Sequence, residues 1–182
     1  MKIILIRHGK VNTGPKKKRY NSREYDEYWA RYETCPIFPI NKRLELPETA
    51  KIFATTFQRT QDTVRQFLGR EDFTIVESLA NEIPLRSFTD TKKRFRMWFL
   101  NFMGRFQWYF PGWRQEECRR ESYARALHLI EFLEEQGEEL CVMVMHGFMM
   151  RTVGRALSDM GYKVKNKRVF AVPNLCVVEG TK

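Results

Sequence analysis

Long apolar runs are missing from this 182-residue sequence. Ile3–Ile6 is closed at once by Arg7-His8-Gly9, and Leu140–Met145 stops at His146. A bilayer-spanning helix needs about 20 such residues, so no transmembrane segment is expected. The first run is also too short and too soon interrupted to serve as a secretory signal. Cysteine is scarce and scattered: Cys35, Cys118, Cys141 and Cys176 form no C-x-x-C pair and no zinc-like spacing. That argues against a disulfide scaffold or zinc module and leaves a reduced, cytoplasmic chain as the expectation. No H-E-x-x-H and no cluster of Asp is present, so neither a metal nor another cofactor is expected. Acidic residues are in deficit: 22 Asp and Glu face 32 Lys and Arg, a net charge of +10.

Such a surplus draws anions, whether a phosphorylated small molecule, nucleic acid or an acidic membrane face. The basic residues fall in short clusters, Lys16–Arg19, Lys92–Arg96 and Lys163–Arg168, of the kind that usually forms solvated surface. No RNA-binding aromatic motif or helix-turn-helix pattern accompanies them. Neither a specific nucleic-acid partner nor a membrane is expected, and the oligomeric state stays open. With 43% hydrophobic and 30% charged residues, the chain has the composition of one globular domain, large enough to bury about 70% of its unfolded surface.

Strand and helix signals alternate along it. Lys2–Ile6, Lys51–Thr55, Phe73–Val76 and Leu140–Met145 read as buried strands. Val169–Val172 and Leu175–Val178, around Pro173-Asn174, finish the sheet. Asn21 with Glu24 forms a capping box for a helix whose Tyr25, Tyr28, Trp29 and Tyr32 repeat with helical spacing. Further helices are expected at Phe57–Leu68, capped by Thr55 or Thr56 and stopped by Gly69, at Glu116–Glu135, and at Phe148–Met160. This alternation argues a layered α/β fold with parallel or mixed strands. Nine aromatics crowd the 19 residues from Phe95 to Trp113. Residues 86–115 are therefore expected to be a helical insertion or lid within a single domain spanning 1–182. Most of its aromatics pack; one or two, such as Trp98, line a pocket for an apolar or ring-shaped leaving part.

Only three histidines occur, and two of them, His8 and His146, directly follow the two best buried strands, each with glycine next. Ligands in open α/β sheets bind at the carboxyl ends of strands. If those strands are neighbours, the two imidazoles face one crevice. Arg7 precedes His8, and Arg59 falls in the first turn of the helix after the second strand, where a helix N-terminus also favours an anion. Guanidinium groups bind phosphate oxygens bidentately and stay charged. His128, mid-helix and off the apolar stripe, reads as solvated surface.

These residues carry a resemblance. Leu5-Ile6-Arg7-His8-Gly9 resembles the R-H-G signature of the histidine phosphatase superfamily, in its phosphoglycerate mutase-like branch. Three further stretches agree in order: Ala54–Thr63 with that family's S-x-L-x-R-A-x-Q-T segment, Leu79–Ile83 with its L-x-E, and Val144–Gly147 with its second-histidine strand. Pro173-Asn174 falls where the family closes its last strand. The resemblance implies a three-layer α/β/α sandwich with a mostly parallel central sheet. It implies that His8 is the nucleophile, that Arg7, Arg59 and His146 hold the phosphoryl oxygens, and that Glu82 is the proton donor and then the base for water. Lys10, Asn12, Asp62, Trp98 and Gly147 are the candidates for the surrounding substrate pocket.

The chain also departs from the family. Lys10 and Gly14 stand where Glu or Gln and Asn are usual, Asp62 replaces the Gln of the second-arginine motif, and no P-L-T-x-x-G helix is recognisable between Pro36 and Lys51. The Tyr-rich helix from Ser22 is its candidate replacement. The expected activity is a metal-independent phosphomonoesterase acting on a small phosphorylated substrate through a phosphohistidine on His8. The alternatives are a mutase, or an inactive family member that binds an acidic partner.

Overall fold

A computed structural model describes residues 1–167 and 172–182. Six strands form one sheet: β1 (Lys2–Arg7), β2 (Lys51–Thr55), β3 (Thr74–Val76), β4 (Leu140–Met145), β5 (Lys163–Lys165) and β6 (Val177–Thr181). Their spatial order is β3-β2-β4-β1-β6-β5. The first four run parallel, while β6 and β5 are antiparallel additions at one side.

Side-chain alternation along these strands divides the core into two slabs. Ile3, Leu5, Phe53, Cys141, Met143 and Met145 point to one face and pack with α4 (Arg119–Glu135) and α5 (Gly147–Asp159). Ile4, Ile6, Ile52, Ala54, Val142 and Val144 point to the other. There they meet Val64, Phe67 and Leu68, which follow α2 (Gln58–Thr63) in a π-helical turn, Val64–Leu68. Because β1 and β4 are buried on both faces, they read as continuous apolar runs. The result is the expected three-layer sandwich. A third, smaller cluster joins α1 (Ser22–Thr34) to α3 (Met97–Gln107) through Tyr20, Tyr25, Tyr28 and Leu100. Tyr20 and Phe95 exchange backbone hydrogen bonds at the edge of this cluster.

Several boundaries differ from the sequence reading, each for a physical reason. The Asn21–Glu24 capping box is present. The second helix, however, is capped by Phe57, because Thr55 Oγ1 is engaged by His146 and Thr60. Gly69 does end it, in the left-handed conformation at φ 65°. Helix α4 starts at Arg119 and not Glu116: Glu121 accepts from the amide of Cys118 and fixes the N-cap there. The last strand begins at Val177, after a turn in which Leu175 has φ 58°. Val172 lies outside any strand, and residues 169–171 of the expected strand lie outside the described residues. The short edge strand β5 falls within what reads in the sequence as a basic surface run.

Candidate active site

The parallel pairing of β1 with β4 puts Arg7 opposite Met145, so both strands deliver their following histidines to the same sheet end. His8 and His146 are 1% and 0% exposed, and their rings lie 5.3 Å apart. The tautomers follow from their partners. His8 Nδ1 lies 2.7 Å from the carbonyl of Gly9, which can only accept; Nδ1 therefore donates and Nε2 keeps a lone pair. His146 Nδ1 accepts from Arg59 Nε at 3.3 Å, so its Nε2 carries the proton and donates to Thr55 Oγ1 at 2.9 Å. Burial first, then the positive charge of Arg59, holds the His8 imidazolium form down to a pKa of about 3. Burial, Arg59, His8 and Arg7 likewise push His146 well below the ordinary imidazole value. Both rings are neutral at physiological pH.

A cleft of about 490 Å³ is lined by residues that include Arg7, Arg59 and Glu82. The two buried histidines are not among its lining residues and are joined to it through Arg59, whose Nε donates to His146. Arg59 is 1% exposed. Its guanidinium lies over the rings of Phe57 (4.4 Å) and Tyr32 (5.2 Å) and donates to the Glu33 carbonyl at 3.1 Å. Arg7 donates through Nη1 to the Val172 carbonyl, while its buried Nε has no partner among the described residues. An anion in the cleft would meet donors already aimed and partly desolvated.

Glu82 occupies the N-terminus of α5. Its Oε1 accepts from Ile83 N (3.0 Å) and Met149 N (2.9 Å), and Oε2 from Phe148 N (3.2 Å). The helix that begins at His146 thus also fixes the carboxylate, its first-turn amides serving as donors. Gly147 belongs to the same corner. A Cβ there would stand 2.9 Å from Arg7 Nε and 3.1 Å from its Cζ, so glycine lets the guanidinium lie flat against the helix start.

The other pocket candidates stand elsewhere and do not line this cleft. Lys10 Nζ lies over the Phe38 ring, and Asn12 pairs its backbone with Pro36. Asp62 accepts from Gln58 and pairs with Arg65, and Trp98 is 64% exposed on α3. His128 is exposed, as its helix position suggested. The cleft wall comes instead from α1, which presents Asp26, Trp29, Tyr32 and Glu33, and from residues 86–115, which present Arg86 and Arg105. Among the described residues no three His, Cys, Asp or Glu side chains gather as metal ligands.

Several positioning residues escape sequence reasoning. Asn174 donates to the carbonyls of His8 and Gly9 at 2.9 and 3.2 Å, and Gly9 N donates to Thr63 Oγ1 at 2.8 Å. Arg125 donates to the carbonyls of Ser78, Leu79 and Asn81, clamping the loop before Glu82. Arg105 does the same after it, through Ile83 and Pro84. Of these, Asn174, beside Pro173, and Thr63, at the end of the Ala54–Thr63 stretch, stood in stretches with a visible motif. The arginines are remote in sequence from the loop they hold, and nothing local marks them.

The model of the histidine phosphatase superfamily (branch 1) matches residues 40–181, most of the chain, beginning after the first histidine motif. No curated protein matches the sequence. Among solved structures, a phosphoserine phosphatase variant from Entamoeba histolytica in complex with phosphoserine is similar at TM-score 0.60. It is 15% identical, over 98% of this chain and 89% of that one. A mycobacterial glucosyl-3-phosphoglycerate phosphatase is similar at TM-score 0.55 and 14% identity, over 98% and 88%. A protein from Thermus thermophilus matches at TM-score 0.56 and 17% identity, over 98% and 92%. At these identities the likeness concerns the fold.

Proposed function

The chain belongs to the histidine phosphatase superfamily, and from that premise we propose that it is a phosphatase hydrolysing a small phosphomonoester through a phosphohistidine on His8, with no metal required. The observation that carries this reading is the His8 tautomer: a buried, neutral imidazole whose Nδ1–H is tied to Gly9 O and whose Nε2 is left with its lone pair.

In the first step Nε2 attacks phosphorus as the bond from phosphorus to the leaving oxygen breaks. Arg7 and Arg59 neutralise charge on the non-bridging oxygens, and His146 Nε2–H can turn from Thr55 to donate to one of them. Glu82 gives its proton to the leaving oxygen. Its Oε2, which accepts one N–H where Oε1 accepts two, has room to carry it. In the second step Glu82 takes a proton from water, whose oxygen attacks phosphorus. The P–N bond then breaks, returning the lone pair to Nε2 and releasing inorganic phosphate. The bond to Gly9 O favours the cationic phosphoimidazole through its Nδ1–H.

Asp26, Glu33 and Glu116 share the cleft lining with Arg86 and Arg105, which favours a polar leaving group over the ring suggested by the aromatic stretch Phe95–Trp113. Phosphoserine and glucosyl-3-phosphoglycerate, named with the relatives, have this polar character. The free thiols of Cys35, Cys118, Cys141 and Cys176 suit a reducing, cytoplasmic setting. The test is turnover of an aryl phosphate in EDTA: wild type turns over and His8→Ala loses at least about 1,000-fold. An inert wild type, or an equally active variant, refutes the reading.

A further inference from the structure

A second cavity, of about 520 Å³, shares none of the lining residues of the catalytic cleft. Its walls are cationic and aromatic. Arg119 lies over the Tyr109 ring at 5.4 Å and Arg151 over the Phe148 ring at 5.0 Å. Neither guanidinium has a carboxylate or carbonyl partner among the described residues. Arg155 contributes a third, sharing Asp159 at 3.6 Å. Asp159, the one carboxylate on the described wall, is already engaged by the Tyr123 hydroxyl at 2.7 Å. Lys167 adds a further positive charge, its Nζ held by Ser158 Oγ at 3.0 Å.

Stacking on an aromatic face fixes the plane of a guanidinium and leaves its N–H edges for an acceptor, at little further entropic cost. Two such groups facing one cavity suit an anion with several oxygens better than a single carboxylate. The apolar wall is also specific. Trp108 is buried, with Nε1 spent on Ser122 Oγ, so it offers its ring and not a donor. Tyr109 stands half-exposed beside it at 5.1 Å, a surface on which a planar group can stack. We propose that this cavity is a second binding site, separate from the catalytic cleft, for a phosphorylated compound that carries a planar ring, of which a nucleoside diphosphate is the type.

The probe is α,β-methylene adenosine diphosphate, whose terminal phosphoryl group is held through carbon and cannot be removed by the enzyme. Its binding to the wild-type protein is read by calorimetry, so the outcome does not depend on turnover. One sub-millimolar site is expected, with adenosine alone and methylenediphosphonate alone each bound at least about tenfold more weakly, since each keeps half the contacts. Arg119→Gln and Arg151→Gln should each weaken binding about tenfold or more, as lost charge-assisted contacts do. Arg59→Ala, in the catalytic cleft, should leave it unchanged. Absence of binding overturns the proposal. So does loss in Arg59→Ala with retention in the other two variants, because the probe then occupies the cleft.

Discussion

At the scale of single residues, the site is a matter of where protons sit. His8 and His146 hold opposite tautomers because one faces a carbonyl and the other a guanidinium. Glu82 differs from both, a carboxylate spread over three amides with one oxygen less engaged than the other. Glu82→Gln removes the proposed proton donor while keeping a carbonyl to accept part of that network. Its kcat should fall about 100- to 10,000-fold on an alkyl phosphate, whose leaving oxygen needs the proton. On p-nitrophenyl phosphate, whose leaving group departs as an anion, the fall should be much smaller. Equal losses on both substrates would mean that Glu82 only holds the corner together. The two histidines were legible because each follows a buried strand and precedes glycine, a pattern that survives without any alignment. Arg105 and Arg125 were not: the loop groups they hold are backbone carbonyls at positions 78–84, and a carbonyl carries no sequence signature.

Among elements, the start of α5 joins fold to chemistry. His146 is its N-cap, its amides hold Glu82, and Gly147 gives Arg7 room. Gly147→Ala would improve helix propensity by up to about 1 kcal/mol yet place a methyl 2.9 Å from Arg7 Nε. Arg7 must then move away from the position proposed for the phosphoryl group. Activity should drop at least about tenfold with thermal stability unchanged or raised; a variant with full activity would show that Arg7 is not held as described. The unbroken apolar run of β4 and the apolar periodicity of α5 made both readable almost to the residue. Strand β5 was hidden for the opposite reason: a three-residue edge strand of lysine and valine presents the charge that edges use against aggregation, and resembles solvated loop. The start of α4 was displaced because residues 108–117 stay irregular, and only the Cys118–Glu121 box decides where helix begins. Trp98 was misjudged as to surroundings: helical spacing shows which residues share a face, not whether that face meets the cleft or solvent.

For the molecule as a whole, buried neutral histidines tie folding to pH. His8 has a folded pKa of about 3 against 6.5 in the unfolded chain, and His146 is lowered as well. Between those values the unfolded chain binds protons that the folded one refuses, so stability is full above pH 6.5 and lost as pH falls. The His8 ring should contribute a slope on the order of 1 kcal/mol per pH unit between about pH 6 and 4, and His146 acts in the same direction. Denaturant unfolding of wild type should therefore steepen in that window relative to His8→Asn, where the amide replaces the Nδ1–H donor without titrating; identical slopes would contradict the burial described. The surplus of cations raised an anionic partner as an expectation without deciding it, because the same clusters read as solvated surface, and the choice of anion depends on loops whose residues meet only after folding. The direct test of the whole account is rapid acid-free quenching of the enzyme with a 32P-labelled phosphomonoester. Covalent label that survives alkali, is released by acid and maps to His8 is the result expected. No covalent label, or label that persists in His8→Ala, would contradict it.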